Sequence, residues 1–319
     1  MKTLQKLWIW KKWLHDTKSL NHLTKLHKQA YFNIHATHQK RTGNYPNIQN
    51  PITYNDKIAW LALFDHSEKQ ILYSDKIAVR EFIQDAIGGE YLPNLYQVAD
   101  NFDQIDFTSL PHSFVMKSNH DSGTVKLIQD KINADFQSLS EQFTKAMDKP
   151  YGIEKGEWFY SHIKPKILVE EYIHTDSGFP PADFKFHCVN GKVVWLQYIF
   201  DRGSQTKEII TDRNFIPMPL QLDTDFICTQ TVIQKPTTWD KMIDLAEKLA
   251  TDFKYVRIDL YNENERILFG EMTFLPRAGC YVTKDLEKFG ALMQFDTSTV
   301  KTPIGPLIKG ASNRGHIVL

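Results

Sequence analysis

Between Val256 and Gly270 apolar residues recur at every second position. Val256, Ile258 and Leu260 alternate with Arg257, Asp259 and Tyr261, the period of a strand with one buried face. Asn262 to Glu265 is turn material, and Arg266 to Gly270 carries a return strand. The same period runs through Asp183–Trp195: Asp183, Lys185 and His187 share one face, Phe184, Phe186 and Cys188 the other. Asn190-Gly191 within it is a type I′ hairpin signal. Phe114–Lys117 and Val125–Ile128 read as a strand pair around a polar loop, Ile167–Val169 as a buried strand, and Leu95–Val98 as a short extended segment. Helical spacing takes over elsewhere. Thr53 is a candidate N-cap with Asp56 in the first turn, ahead of a stripe of Ile58, Leu61, Ala62 and Phe64. Residues 75–86 repeat that logic with Ile77, Val79, Phe82 and Ile83, and Gly88-Gly89 stops the helix. Phe136–Lys149 and the stretch from about Thr238, with Met242, Leu245, Ala246, Leu249 and Ala250 buried, complete the set. Hairpins interspersed with amphipathic helices predict an α+β chain.

Length and charge narrow this picture only a little. The 319 residues suffice for two subdomains with a sizeable core, and 38 basic against 38 acidic side chains give no overall pull toward nucleic acid. The three cysteines, Cys188, Cys228 and Cys280, lack metal-like spacing and suit a reducing cytoplasm. No run of eighteen apolar residues and no signal-peptide pattern is present. Residues 1–45 differ locally: Lys2, Lys6, Lys11, Lys12, Lys18, Lys25 and Lys28 are interleaved with Trp8, Trp10 and Trp13 over leucines at partly helical spacing. Two readings of this segment stand. It lies as a basic amphipathic helix on the inner face of a membrane, or its tryptophans cap the globular core.

Candidate chemistry gathers in four places. Arg257 and Asp259 share a strand face that Glu271 can join from the neighbouring strand. Two carboxylates beside a guanidinium suit a Mg²⁺–nucleotide site, and equally suit an exposed hairpin with a cross-strand ion pair. Lys117 ends a strand before Ser118-Asn119-His120-Asp121-Ser122-Gly123-Thr124, a small polar loop whose N–H groups can cradle phosphate; Asp121 fits there only if it points away. Glu170-Glu171-Tyr172-Ile173 follows a buried strand. Asp183 and Lys185, with Arg202 on the next segment, can serve a ribose, a terminal phosphate or a substrate carboxylate. The aromatic loop 151–160, with two glycines, reads as a lid over the nucleotide.

Taken in order, the residues DKIAVREFI, LPHSFVMKSNHDSG, KPKILVEEYI, DFKFHCVNGK and VRIDLYNENERILFGEMTF resemble the TupA-like ATP-grasp family of cell-surface polysaccharide and teichuronopeptide synthesis. The resemblance covers roughly residues 50 to 295. It implies an ATP-grasp fold, two α+β subdomains gripping ATP, after a mostly helical N-terminal region. The implied limits are a basic segment at 1–45, a pre-ATP-grasp region at 46–112, the ATP-grasp domain at 113–300 and a tail at 301–319. By that resemblance Mg²⁺ binds Asp259 and Glu271. Thr273 stands where related ligases carry Asn, which leaves the third ligand open. Arg257, Lys185 and Arg202 are implied as catalytic. Lys117, Asn119, His120, Ser122, Gly123 and Asp183 are implied for phosphates and ribose, and Glu170, Glu171, Tyr172 and Ile173 for the adenine hinge. The implied reaction is ATP- and Mg²⁺-dependent amide formation through an acylphosphate. It joins a uronic acid of a capsular or lipid-linked glycan to an amino acid or amino alcohol. A glycosyltransferase of capsule synthesis is the alternative; a sugar or lipid kinase and a nucleotide-binding protein without chemistry are further classes.

Overall fold

The computed structural model describes residues 3–176, 178–202, 205–229 and 233–304. Most of the tail, residues 305–319, and Lys2 of the basic segment lie outside the described residues. Five helices come first: α1 (Thr3–Ser19), α2 (Lys28–Thr42), α3 (Tyr54–Phe64), α4 (Glu68–Ser74) and α5 (Val79–Ala86). The cap expected at Thr53 is a full capping box. Thr53 Oγ1 accepts from Asp56 N, and Asp56 Oδ2 accepts from Thr53 N at 3.0 Å. Helix α3 is buried almost all round, packed by α2, by the turn at Pro276–Gly279 and by the helix Leu286–Leu292, while Tyr54 reaches the Tyr255 hydroxyl of the second sheet.

The first sheet contains β1 (Leu95–Ala99), β2 (Phe114–Ser118), β3 (Val125–Ile128) and β4 (Ile167–Glu171), in the order β1-β4-β2-β3, all antiparallel. Phe114, Met116, Ile167 and Val169 face a small core closed by Leu139 and Phe143 of α6 (Phe136–Asp148). The alternate residues Val115, Lys117 and Glu170 therefore face the other way.

The second sheet contains β5 (Asp183–Val189), β6 (Lys192–Phe200), β7 (Lys207–Asp212), β8 (Pro217–Met218), β9 (Ile227–Cys228), β10 (Tyr255–Glu263) and β11 (Arg266–Thr273). Its order is β11-β10-β5-β6-β7-β8, antiparallel, with β9 parallel beside β7. The Asn190-Gly191 turn has φ of 48° and 76°, the left-handed pair of a type I′ hairpin. Phe186 of β5 packs on Trp239 of α7 (Trp239–Ala250), with centroids 5.5 Å apart. That leaves Asp183 and Lys185 on the opposite face. Helix α8 (Leu286–Leu292) lies against α3.

The N-terminal helices join this second core. Ile9, Trp13, Tyr31 and Ile34 belong to the same cluster as Trp60 and Tyr255. Of the three tryptophans only Trp13 is buried; Trp8 stacks on Tyr45 and Trp10 lies under the Lys28 ammonium.

Burial also sets a pH limit. It pushes the imidazoles of His38 and His66 down to about 4, and that of His187 well below its ordinary value. The neutral ring of His66 donates from Nε2 to Ala62 O, while Nδ1 accepts from Ile304 N at 3.0 Å. In the unfolded chain these rings protonate near pH 6.5. Between about 6.5 and 4 the unfolded state therefore binds more protons, and this stabilisation, complete above 6.5, is lost as pH falls. The melting temperature is expected to decline progressively across that interval; a flat profile from pH 6.5 to 4.5 in thermal melts would refute it.

Candidate functional site

A cleft of about 410 Å³ lies between the two sheets. Val115, Lys117, Val125, Leu127 and Glu170 of the first sheet line one side; Asp183, Lys185, Asp259, Tyr261 and Glu271 of the second line the other.

The floor is a chain of charges on adjacent strands. Arg257 donates from Nε to Asp259 Oδ1 at 2.6 Å and from Nη2 to Oδ2 at 2.8 Å. Lys185, register partner of Asp259 on β5, reaches Asp259 Oδ2 at 2.5 Å and Asp183 Oδ1 at 3.5 Å. Arg202 closes the chain on Asp183 Oδ2. Burial alone would raise the Asp259 carboxyl, but Arg257 and Lys185 outweigh it and hold it below its ordinary value. Burial likewise works against the Arg257 charge, and Asp259 with Glu271 overcomes it.

A β-bulge brings the second carboxylate to this face. Asp259 pairs with Glu271, yet its neighbour Leu260 pairs with Phe269, leaving Gly270 as the extra residue. Were Gly270 paired regularly with Asp259 instead of bulged, Glu271 would stand opposite Ile258, on the far face of the sheet. Gly270 also suits the spot sterically: a Cβ there would stand 3.1 Å from Asp259 O. Thr273, opposite Arg257, accepts from Arg257 Nη2 at 2.9 Å and donates to Glu271 Oε2 at 3.2 Å. Among the described residues no group of three or more His, Cys, Asp and Glu side chains is arranged to hold a metal ion. Asp259 and Glu271 are a pair, not a cage. A pair fits Mg²⁺, which takes one or two carboxylates and completes its shell with phosphates and water.

Across the cleft, Lys117 pairs with Glu170, whose Oε2 lies 3.8 Å from Arg80 Nη1. Glu171 points out of the cleft: its carboxylate takes Arg266 at 2.5 and 3.0 Å and the N–H and amide of Asn94 at 3.0 Å. Strand alternation separates the two acids, and the segment Glu171–Tyr172–Ile173 continues along the cleft lining with the Glu171 carboxylate held on Arg266 and Asn94.

The polar loop divides. Ser122 and Gly123 line the cleft, with Gly123 at φ 113° and nothing within 4 Å of a Cβ position. Asn119 and His120 do not line it, contrary to their place in the sequence-based site. Asn119 donates to Asp75 Oδ1 and Lys164 O and accepts from Lys166 N, which ties the loop to its flanks; His120 is buried against Ser118 Oγ at 2.7 Å. Asp121 turns inward and accepts from Thr124 Oγ1 at 2.5 Å.

Sequence reasoning missed Lys76. It lines the cleft beside Lys117, and its ammonium donates to Asp121 O. It lies in the turn before α5, where helical periodicity hides it. Loop 151–157 also departs from expectation. It docks on α2, through Asn33 Nδ2 to Ile153 O at 3.2 Å and Thr37 Oγ1 to Glu154 O at 2.7 Å. Tyr151, Lys155 and Glu157 line a second cavity, of about 660 Å³, beside the first.

Two subdomains with a charged cleft between them are the expected ATP-grasp architecture. Solved structures with related folds include D-alanine–D-alanine ligase from Bacillus anthracis complexed with ATP, at 15% identity and TM-score 0.37, covering 64% of this chain and 54% of that one. A RimK domain ATP-grasp protein from Sphaerobacter thermophilus aligns at 12% identity and TM-score 0.41, with 75% of each chain covered. The L-amino acid ligase from Bacillus licheniformis aligns at 12% identity and TM-score 0.41, covering 73% of this chain and 53% of that one. The chain thus spans little more than half the length of two of these enzymes. No curated protein matches it. The sequence model of the TupA-like ATP-grasp family matches residues 56–291, most of the chain, and the chain belongs to that family.

Proposed function

We propose that the chain is an ATP-dependent carboxylate–amine ligase. The observation that carries the reading is the ladder Arg257–Asp259–Lys185–Asp183–Arg202, with Glu271 beside it, facing Lys117 across one cleft. Adenine lies against Val115, Leu127 and Tyr172, read by the backbone of Glu171 to Ile173, since Glu170 and Glu171 already hold cations. Lys117, Ser122, Gly123 and Lys76 hold phosphates from one side, Lys185 and Arg202 from the other. Asp259 and Glu271 would hold Mg²⁺, which supplies positive charge to the phosphate oxygens when bound. Arg257, fixed by Asp259 and Thr273, steadies negative charge on the reacting carboxylate.

The carboxylate oxygen attacks the γ-phosphorus and ADP leaves. An amine then attacks the acylphosphate carbon, the C–N bond forms, and phosphate departs. The protein supplies positioning and charge. The acid in this proposal is a uronic acid of a surface glycan or its lipid-linked precursor, the class that the sequence resemblance implies. The amine is an amino acid or amino alcohol.

Incubation with ATP, Mg²⁺, glucuronic or galacturonic acid glycans and an amine panel is expected to release ADP and phosphate in equal amounts with an amide product by mass spectrometry. ADP without free phosphate would make the protein a kinase; consumption of a nucleotide sugar would make it a transferase.

Peripheral membrane contact through α1 belongs to the same proposal. Among the described residues no helix is long and apolar enough to cross a membrane. Leu4, Leu7, Trp8 and Leu14 are nevertheless exposed on a helix that also carries Lys6, Lys11 and Lys18. Co-sedimentation with anionic vesicles is expected, and to disappear with Leu4→Glu plus Leu7→Glu; equal sedimentation of the double variant would refute it.

A further inference from the structure

The second cavity adjoins the nucleotide cleft, since Ser122 and Glu271 border both. Arg257 and Thr273 face it as well. A group resting there is next to the proposed acyl transfer point, but outside the space taken by ATP.

One wall is built by elements that never touch the cleft. Gly152, at φ 87°, turns the chain so that its carbonyl accepts from Lys155 N at 2.9 Å and Glu157 N at 3.0 Å. A Cβ on Gly152 would stand 2.3 Å from Glu157 O, so the turn requires glycine. Gly156, at φ 82°, lets the loop lie directly on Ile34 of α2. Arg41, at the end of α2, reaches the same cavity and donates to Arg277 O at 3.4 Å. Arg41 precedes residue 56, where the family match begins.

The charges on this wall are incompletely matched. Glu157 is 7% exposed, and its Oε2 has no hydrogen-bond partner. A buried carboxylate oxygen left unpaired is costly and is rarely retained without use. Among the described residues, Arg41 and Lys155 have no carboxylate within 4.0 Å, whereas Arg277 is taken by Asp223 and Asp225. Arg41 and Lys155 are the two cations whose fields act on Glu157. The cavity therefore presents an acid with one unpartnered oxygen and two cations that have no carboxylate of their own, Lys155 donating to the Tyr151 hydroxyl at 3.0 Å and Arg41 to Arg277 O.

We propose that this cavity is the amine-substrate site and takes an α-amino acid, its ammonium on Glu157 and its carboxylate on Arg41 and Lys155. The inference rests on the ligase reading and selects between the two amine classes it leaves open. An amino alcohol would satisfy Glu157 and leave both cations without an anion. An amino acid satisfies all three groups. Glu157 also gives the amine a proton acceptor. The ammonium passes one proton to the Glu157 carboxylate, and the free amine attacks the acyl carbon. The C–N bond forms as the C–O bond to phosphate breaks, and the second nitrogen proton leaves with phosphate. Burial pushes the Glu157 carboxyl up to about 7, against the pull of Lys155 and Arg41 and with Glu271 adding to it, which suits a group that takes and returns a proton near neutrality.

The test uses the full chain with AMP-PNP and Mg²⁺, titrated by calorimetry with the proteinogenic amino acids and, for each one bound, its decarboxylated amine. At least one amino acid is expected to bind, and its decarboxylated amine to bind about tenfold or more weakly. Glu157→Gln and Arg41→Gln are each expected to weaken the amino acid about tenfold while AMP-PNP affinity stays the same. A thermal melt confirms that each variant folds, and the two changes stand on different elements. Equal binding of the decarboxylated amine overturns the inference, as does unaltered amino acid affinity in both folded variants. Nucleotide binding with no amino acid bound overturns it too, and leaves the ligase reading intact. Failure to bind AMP-PNP sinks the ligase reading itself.

Discussion

Asp259→Asn is expected to lower turnover roughly a thousandfold, with ATP affinity reduced far less. The carboxylate holds three charge-assisted hydrogen bonds, two from Arg257 and one from Lys185. An asparagine oxygen keeps part of this geometry, but its NH₂ faces one of the cations. The side chain also loses the charge that draws a divalent ion. Removing one member of a buried pair typically costs about 3–5 kcal/mol. Here the loss is smaller, because Asp183 stands 3.5 Å from Lys185 and Glu271 3.9 Å from Arg257. The variant should therefore fold, melt somewhat lower and bind ATP through Lys117 and the hinge. ADP release and nucleotide titration check this. More than a tenth of wild-type turnover at saturating Mg²⁺ would remove Asp259 from the mechanism.

Gly290→Ala is expected to destabilise the fold by about 3 kcal/mol, the upper range for overpacking. Gly290 lies inside α8, where a Cβ would stand 2.0 Å from Ile52 O and 2.8 Å from Thr53 C. Both are backbone atoms and cannot rotate away. The segment they occupy carries the Thr53–Asp56 capping box and leads into α3, whose Tyr54 hydroxyl meets Tyr255 of β10 at 2.8 Å. Displacing it disturbs the strand that presents Asp259. Gly89→Ala is the control: its Cβ would meet only Gln84 Cγ, at 3.8 Å. Urea unfolding of the two variants separates steric clash from the general effect of replacing glycine. Equal midpoints would refute the prediction.

Local chemistry made much of this legible in the sequence. The Thr53 cap, the Asn190-Gly191 turn and the alternation around Asp259 and Lys185 are short-range signals, and each appears where periodicity places it. The site was less legible wherever long-range partners decide. Asn119 and His120 share their loop with Ser122 and Gly123, yet contacts with Asp75, Lys164 and Lys166 turn Asn119 inward. Glu170 and Glu171 are equivalent in composition, and only pairing with Lys117 and Arg266 assigns them to opposite sides. Lys76, Arg41 and Glu157 reach their cavities from turns and helix ends that carry no motif. In the basic segment 1–45 one helix carries both kinds of apolar residue, Ile9 and Trp13 packed inward and Leu4 and Leu7 exposed, and periodicity alone does not sort them.

The extra residue at Gly270 makes this hairpin a matter of counting. The two acids meet because the one surplus position is taken up as a bulge, so pairing that glycine regularly, with the sequence unchanged, would turn Glu271 to the wrong side, whereas deleting it would leave Glu271 opposite Asp259. Relatives that keep the acids but lack the insertion must carry the second one a position earlier, and a gap-free comparison of such strands would match Glu271 with the wrong neighbour.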